Sequence, residues 1–244
     1  MYIYIPNWKK REFIMMIDVK EVAKLLSVSE KTVYRWISKK EIPVYKIGDT
    51  YRFNRVELME WTTANKINVS HKIFEENEDS SNTTTKLSDS LEQGGIYYHV
   101  NGNDKKTVLK SIVSLMNLPD DIDREFLLEA LIARENLGTT AIGNGIAIPH
   151  VRDNIIFHIE KPIISLCFLE KPIDFESLDN KPVDAIFTII STSVRTHLSI
   201  LSRLTYALNT PYIRDIIKSS SNRQEIINII AEFDTKISKN KAEK

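Results

Sequence analysis

Cysteine is nearly absent: Cys167 stands alone among 244 residues, so no internal disulfide can form. It lies in the apolar run ISLCFL, where a thiol serves as a small buried hydrophobe rather than a nucleophile. A reducing cytoplasm suits such a chain. No apolar run approaches the ~18 residues a membrane-crossing helix needs, so no membrane insertion is expected. The opening MYIYIPNWKKREF places aromatics ahead of its basic cluster, the reverse of a secretion signal. No Cys/His spacing suits zinc, so no metal site is expected. Glycine and proline are few, at 7 and 8, and no internal repeat is visible. Net charge is missing too, with 33 basic residues against 33 acidic ones. What is present is an ordinary soluble composition, 42% hydrophobic and 27% charged, long enough for one large domain or two modest ones.

The zero net charge conceals a division. Residues 1–66 carry 13 Lys and Arg against 8 Asp and Glu, whereas residues 67–94 carry 2 against 6. The remainder is close to neutral. A basic head, an acidic tether and a neutral body suggest separate jobs. The tether contains EENEDSSNTTTKLSDS, too polar to bury itself, and residues 67–94 read as a flexible linker. Upstream, the codons of Lys9, Lys10, Arg11 and Glu12 are purine-rich and stand shortly before Met15 and Met16. That run resembles a ribosome-binding site read as protein, so residues 1–14 are either a mis-assigned start or a short basic arm. Residues 237–244 are expected to be a disordered tail.

In the head, residues 15–66, Asp18 can cap a helix with Val22, Leu25 and Leu26 on one face. After a tight turn at Ser27-Val28, Ser29 can cap a second helix, EKTVYRWISKK, with Val33, Trp36 and Ile37 facing inward. Two short helices across a tight turn form a helix-turn-helix pattern. VYKIGDTYRF alternates around Gly48-Asp49 as a hairpin does, and Asn54 with Glu57 makes a capping pair for a last helix. The segment DVKEVAKLLSVSEKTVYRWISKKEIPVYKIGDTYRFNRVELMEW resembles the excisionase-like, winged members of the MerR-type DNA-binding families. The resemblance implies that the second helix enters the major groove of double-stranded DNA, presenting Ser29, Lys31, Thr32, Arg35 and Lys39. Lys46, Tyr51 and Arg52 would lie on the wing. Lys and Arg would neutralise phosphates while Arg35 and Thr32 reach base edges. A plain solvated helix face is the alternative, which the basic surplus and the wing disfavour. One such module offers little area, so specific binding calls for a dimer.

In the body, residues 95–236, two helical patterns precede GTTAIGNGIAIPHVR, and two apolar strands, PIISLCFLE and VDAIFTII, follow it. Thr196 can cap a helix through HLSILSRLTYAL, Thr210-Pro211 opens a short helix, and Ser221 with Gln224 forms a capping box for the last. Helices interleaved with apolar strands imply an α/β sandwich. ARENLGTTAIGNGIAIPHVR, KPIDFESLDNKPVDAIFTII and THLSILSRL together resemble enzyme IIA of the mannitol–fructose class of the sugar phosphotransferase system, nearest its nitrogen-regulatory (PtsN-like) branch. The resemblance implies a mixed β-sheet flanked by helices that takes a phosphoryl group from the phosphohistidine of an HPr-like carrier. It assigns the phosphoryl acceptor to His150, a second active-site histidine to His197 and an anion-binding arginine to Arg134.

The residue types suit that chemistry. A neutral imidazole is a good nucleophile near neutral pH. Phosphoryl transfer needs alignment and charge stabilisation. A histidine opening a helix sits where N–H groups and the dipole favour an anion, and an arginine fork can hold two phosphoryl oxygens. Gly143 and Gly145 are expected to let a phosphate loop turn beside the imidazole. Arg152 could add a weaker positive charge. Val151 stands where many relatives carry a smaller residue, and its bulk would narrow a partner's approach. His99 and His158 lack supporting neighbours, and His71 lies in the linker. The acceptor ring should be reachable, uncharged and flanked by cations. No cofactor is expected beyond covalent phosphate on His150. Expected partners are the HPr-like carrier, an enzyme IIB or regulatory target protein, and DNA. A regulator reporting phosphotransferase flux to a promoter is the simplest reading. Its rivals are a phosphotransfer subunit whose head binds protein, and a transcription regulator whose body no longer accepts phosphate.

Overall fold

The computed structural model describes residues 16–65, 67, 85–151, 159–219 and 222–242. Expectations placed on residues 1–14, most of the tether, His71, Arg152, His158, Ser221 and the last two residues lie outside that set. The chain divides into two compact units, Met1–Asp79 and Ser80–Lys244.

The first unit opens with strand β1 (Met16–Ile17), followed by helix α1 (Val19–Leu25). Asp18 caps α1 in a full capping box: its carboxylate accepts from the Glu21 N–H, and Glu21 accepts from the Asp18 N–H, both at 2.8 Å. Helix α2 (Glu30–Ser38) begins with Ser29, whose Oγ accepts from the Thr32 N–H at 3.1 Å. Between the helices Ser27 takes a left-handed φ of 54°. Strands β2 (Tyr45–Ile47) and β3 (Thr50–Asn54) form an antiparallel hairpin around Gly48, whose φ of 60° favours glycine. β1 pairs with the other edge of β3. Helix α3 (Arg55–Ala64) follows. Asn54 Oδ1 accepts from the Glu57 N–H, as the expected capping pair requires, and the Glu57 carboxylate also accepts from the Tyr45 hydroxyl at 2.7 Å. Val22, Val33, Phe53 and Leu58 are fully buried, and Trp36 packs edge-on against Trp61.

The second unit is built on a five-stranded mixed sheet in the order β4-β7-β8-β6-β5. Its strands are β4 (Ile96–Val100), β5 (Ala141–Gly143), β6 (Ile146–Ala147), β7 (Ile163–Ile173) and β8 (Val183–Ile190). β4 and β7 are parallel, as are β6 and β8, while β7–β8 and β5–β6 are antiparallel. Helices cover both faces. On one lie α4 (Leu87–Gly94), α7 (Val194–Asn209), α8 (Pro211–Lys218) and α9 (Arg223–Ala242), packed on Ile146, Ile148, Ile164, Leu166, Phe187 and Ile189. On the other lie α5 (Lys105–Leu115) and α6 (Arg124–Glu135), packed on Ala147, Ile163, Cys167 and Ile186. Where β7 and β8 pair regularly, alternate residues feed opposite cores, as the two-residue strand period requires. Cys167 is wholly buried, and that burial pushes its thiol up to about 12.

Two boundaries differ from the sequence reading. The expected linker to residue 94 ends earlier, because α4 is part of the body. Its Leu87 and Leu91 are buried, worth about 1.5–3 kcal/mol each. Lys86 gives α4 no side-chain cap, and Asp234 of α9 takes that role, accepting from the Ser88 N–H and Oγ at 2.9 Å each. Arg203 of α7 pairs with the other Asp234 oxygen at 2.6 Å and donates to the Thr85 carbonyl. The expected disordered tail from residue 237 is instead a continuation of α9, in which Ile237 is buried. At the start of α9, Asn222 Oδ1 accepts from the Glu225 N–H.

Candidate functional site

β6 runs on beyond its paired residues. Ile146 lies opposite Ala185 and Ala147 opposite Ile186, and the same register carries His150 to a parallel bridge with Ile189. The segment is therefore extended from Ile146 to His150. Alternation places the His150 side chain on the face of Ile148 and Ile189, the face that α7 covers. Val151 turns to the opposite core and is 5% exposed. Its bulk fills that core, which corrects the expectation that it crowds a partner's path.

The His150 Nδ1 lies 2.7 Å from the Ile148 carbonyl. A carbonyl only accepts, so Nδ1 carries the hydrogen, and in the neutral ring Nε2 is left with the lone pair. The His197 ring stands with its centroid 5.1 Å from that of His150, tilted by 46°. His197 belongs to the first turns of α7, which begins at Val194 with Ser193 as its N-cap rather than at Thr196. Ser193 Oγ accepts from the Thr196 N–H at 3.1 Å, so Thr196 is the third residue of the helix. Ser191, just past the end of β8, has its Oγ 3.4 Å from His197 Nδ1.

Arg134 occupies the last turn of α6 and is 7% exposed. Its Nη1 donates to the Gly138 carbonyl at 2.9 Å. The β5–β6 pairing extends through a bond from the Ile148 N–H to the Thr140 carbonyl. Gly138, two residues before Thr140, thus lies at the His150 end of that strand pair, and the Arg134 guanidinium with it. Gly143 and Gly145 lie at the other end. They flank Asn144 in the β5–β6 turn, all three with left-handed φ. At about 3.3 Å per residue the extended segment separates Gly145 from His150 by well over 10 Å. The turn is held by Asp179, which accepts from the Asn144 N–H at 2.8 Å, and a Cβ on Gly145 would meet Lys218 and Asp184. The two glycines shape a hairpin remote from the imidazole, which corrects the expected phosphate loop.

Both imidazoles are covered: His150 is 3% exposed and His197 4%. The expected reachable ring is thus a buried one, seated under the helices of its own face. His99 is exposed and pairs with Glu170 at 2.7 Å. Among the described residues no group of three or more His, Cys, Asp or Glu side chains is placed to hold a metal ion, and no helix is long and apolar enough to cross a membrane.

On the first unit, Lys31, Arg35 and Lys39 recur every four residues of α2 and its C-cap, and all three are exposed. They form one cationic stripe, with Lys39 Nζ 3.7 Å from Glu41. Ser29 and Thr32 are less available than expected, since their hydroxyls lie 3.0 Å apart in the cap. Lys46 is exposed on β2, and Arg52 is half-buried on β3 beside Tyr51, which meets Tyr34 edge-on. Ser191 and the Ile148 carbonyl are the site components that sequence reasoning did not single out. The phrase STS ahead of THL was the available signal for the first, and nothing local marks the second.

A five-stranded mixed sheet with one histidine beyond β6 and a second beside it on the helix that follows β8, in a chain that also carries a helix-turn-helix unit, defines the class. The family model for EIIA 2 of the phosphoenolpyruvate-dependent sugar phosphotransferase system matches residues 90–233, more than half the chain, and the chain belongs to that family. A helix-turn-helix domain model matches residues 16–66. The chain is 34% identical to a nitrogen regulatory protein of Pseudomonas aeruginosa over 151 residues, 60% of this chain and 96% of that relative. It is 30% identical to a nitrogen regulatory protein of Escherichia coli over 157 residues, 63% of this chain and 94% of the relative. Among solved structures, the nitrogen regulatory protein IIA-Ntr of Neisseria meningitidis superposes with a TM-score of 0.51 at 26% identity, covering 59% of this chain and 98% of that one.

Proposed function

We propose that the body accepts a phosphoryl group on His150 Nε2 from the phosphohistidine of an HPr-like carrier, and that the head couples this state to DNA. The observation that carries the reading is the bond from His150 Nδ1–H to the Ile148 carbonyl, which leaves Nε2 of the neutral ring with its lone pair, in a ring whose centroid is 5.1 Å from that of His197. In the transfer, that lone pair forms the new N–P bond as the donor's N–P bond breaks. The released electron pair stays on the donor imidazole. Nε2 carries no proton at the outset, so no base is needed. His197 and Arg134 would hydrogen-bond the phosphoryl oxygens, and the N-terminus of α7 would add a favourable dipole. The phosphate is the only group added, and no cofactor enters the step. The onward partner is an enzyme IIB or a regulatory target protein in the cytoplasm.

The cationic stripe of Lys31, Arg35 and Lys39, with Lys46 and Arg52 of the hairpin, suits the phosphates of double-stranded DNA. Phosphorylation adds up to about two negative charges to the body, a change that a tethered DNA-binding head can register. The domain limits we propose are a head to residue 66, a body that takes in α4 from Leu87, and a tether between them. Incubation with phosphoenolpyruvate, enzyme I and HPr tests the first step. Acid-labile phosphate is expected on the wild type and lost in His150→Ala. An unlabelled wild type, or full labelling of that variant, overturns it.

The burial of both rings favours a second reading, in which the body is a protein-interaction module without phosphotransfer. Wild-type promoter control by His150→Ala, together with an unlabelled wild type, would establish that reading.

A further inference from the structure

Building on the phosphotransfer reading, we infer that Ser191 is a positioning residue that sets the tautomer of His197. Both side chains are buried, Ser191 at 8% and His197 at 4% exposure, and Ser191 Oγ lies 3.4 Å from His197 Nδ1. The two imidazoles are anchored through the same ring atom by different devices. His150 is held by a carbonyl, which fixes the hydrogen on Nδ1 and leaves Nε2 as the nucleophile. His197 Nδ1 faces a hydroxyl, which can donate as well as accept. A hydroxyl donating to Nδ1 places the proton of a neutral His197 on Nε2. That N–H is then a donor for a phosphoryl oxygen on the neighbouring ring. The opposite tautomer would present a lone pair to an acceptor-only dianion and repel it.

The other hydroxyls of this turn are engaged elsewhere. Ser193 caps α7 through the Thr196 N–H, and Thr196 Oγ1 meets Ser193 Oγ at 2.9 Å and Thr192 Oγ1 at 3.3 Å. Ser191 is thus the hydroxyl of the segment paired with an imidazole. It neither gains nor loses a proton in the transfer, and its effect passes through His197.

The test uses the full chain labelled with 15N. Long-range 1H–15N correlation reads the ring nitrogens of His197 and His150 in the unphosphorylated wild type, Ser191→Ala and Ser191→Thr. Stopped-time labelling reads phosphate uptake from phosphorylated HPr. In the wild type, His197 is expected to show a protonated Nε2 and a hydrogen-bonded, unprotonated Nδ1. Ser191→Ala should move the His197 nitrogens, leave those of His150 in place, and slow uptake roughly fivefold, the worth of one hydrogen bond. Ser191→Thr should restore both. Unmoved His197 nitrogens in Ser191→Ala, a wild-type His197 protonated on Nδ1 alone, or unchanged uptake would each overturn the inference. A wild type that takes no phosphate from HPr sinks the phosphotransfer reading instead, and the ring spectra then decide the Ser191 contact by themselves.

Discussion

The head and the body place their polar groups in opposite ways. Among the described residues of the head, Thr62 is the one buried polar side chain, and the cations that suit a nucleic acid stand in water. The body buries His150, His197, Arg134, Glu135, Arg203 and Asp234. Glu135 is reached by the Thr140 hydroxyl at 2.6 Å and by Lys105 at 3.3 Å, and Asp234 by Arg203 and Ser88. Charge at a surface is cheap and acts through its field; charge in an interior needs a partner for every lone pair. Recognition can therefore be rewritten in the head with little effect on folding, whereas in the body chemistry and folding share the same atoms.

The largest expected effect breaks that contrast on the body's side. Asp234→Ala removes the carboxylate that balances the buried Arg203 charge and uncaps α4, and should destabilise the body by about 3–5 kcal/mol. The 3 tryptophans, Trp8, Trp36 and Trp61, all belong to the first unit. Chemical denaturation followed by circular dichroism should show the loss, while the tryptophan fluorescence transition stays where it is. A fluorescence transition that moves equally would mean that the two units unfold together.

A smaller change in stability with a larger change in binding is expected from the stripe. Lys31→Ala, Arg35→Ala and Lys39→Ala should each leave stability within about 0.5 kcal/mol. Each should lower the slope of log affinity for duplex DNA against log salt by roughly 0.9. Fluorescence anisotropy across a salt series measures it, and an unchanged slope removes that residue from the interface. The smallest effect is local: Asp18→Ala removes the capping box of α1 and should cost the head about 1 kcal/mol, read by tryptophan fluorescence.

Much of this arrangement was legible in the chain. Asp18, Ser29 and the Gly48 turn announced the head because caps and left-handed turns are decided within a few residues. The short apolar runs ISLCFL and VDAIFTII announced buried strands for the same reason. α4 was not legible, since LSDSLEQG offers two leucines in an acidic stretch and its cap comes from Asp234, 146 residues away. The glycines of GNGIAIPH stand close to His150 in sequence, yet an extended strand is the longest route between two neighbours, and it carries them to opposite ends. Thr196 and Ser193 are both good capping residues, and only the packing of α7 chooses between them. The burial of the two rings likewise depends on helices far along the chain.

Arg203 has a mechanical consequence. It lies six residues beyond His197 on α7, about 9 Å along a stiff rod, and it grips the carbonyl of Thr85. Thr85 lies two residues ahead of α4. A displacement of the residues just ahead of α4 would be delivered to the very rod that carries one of the two imidazoles, and a shift of the rod would be felt as slack or strain at the start of α4.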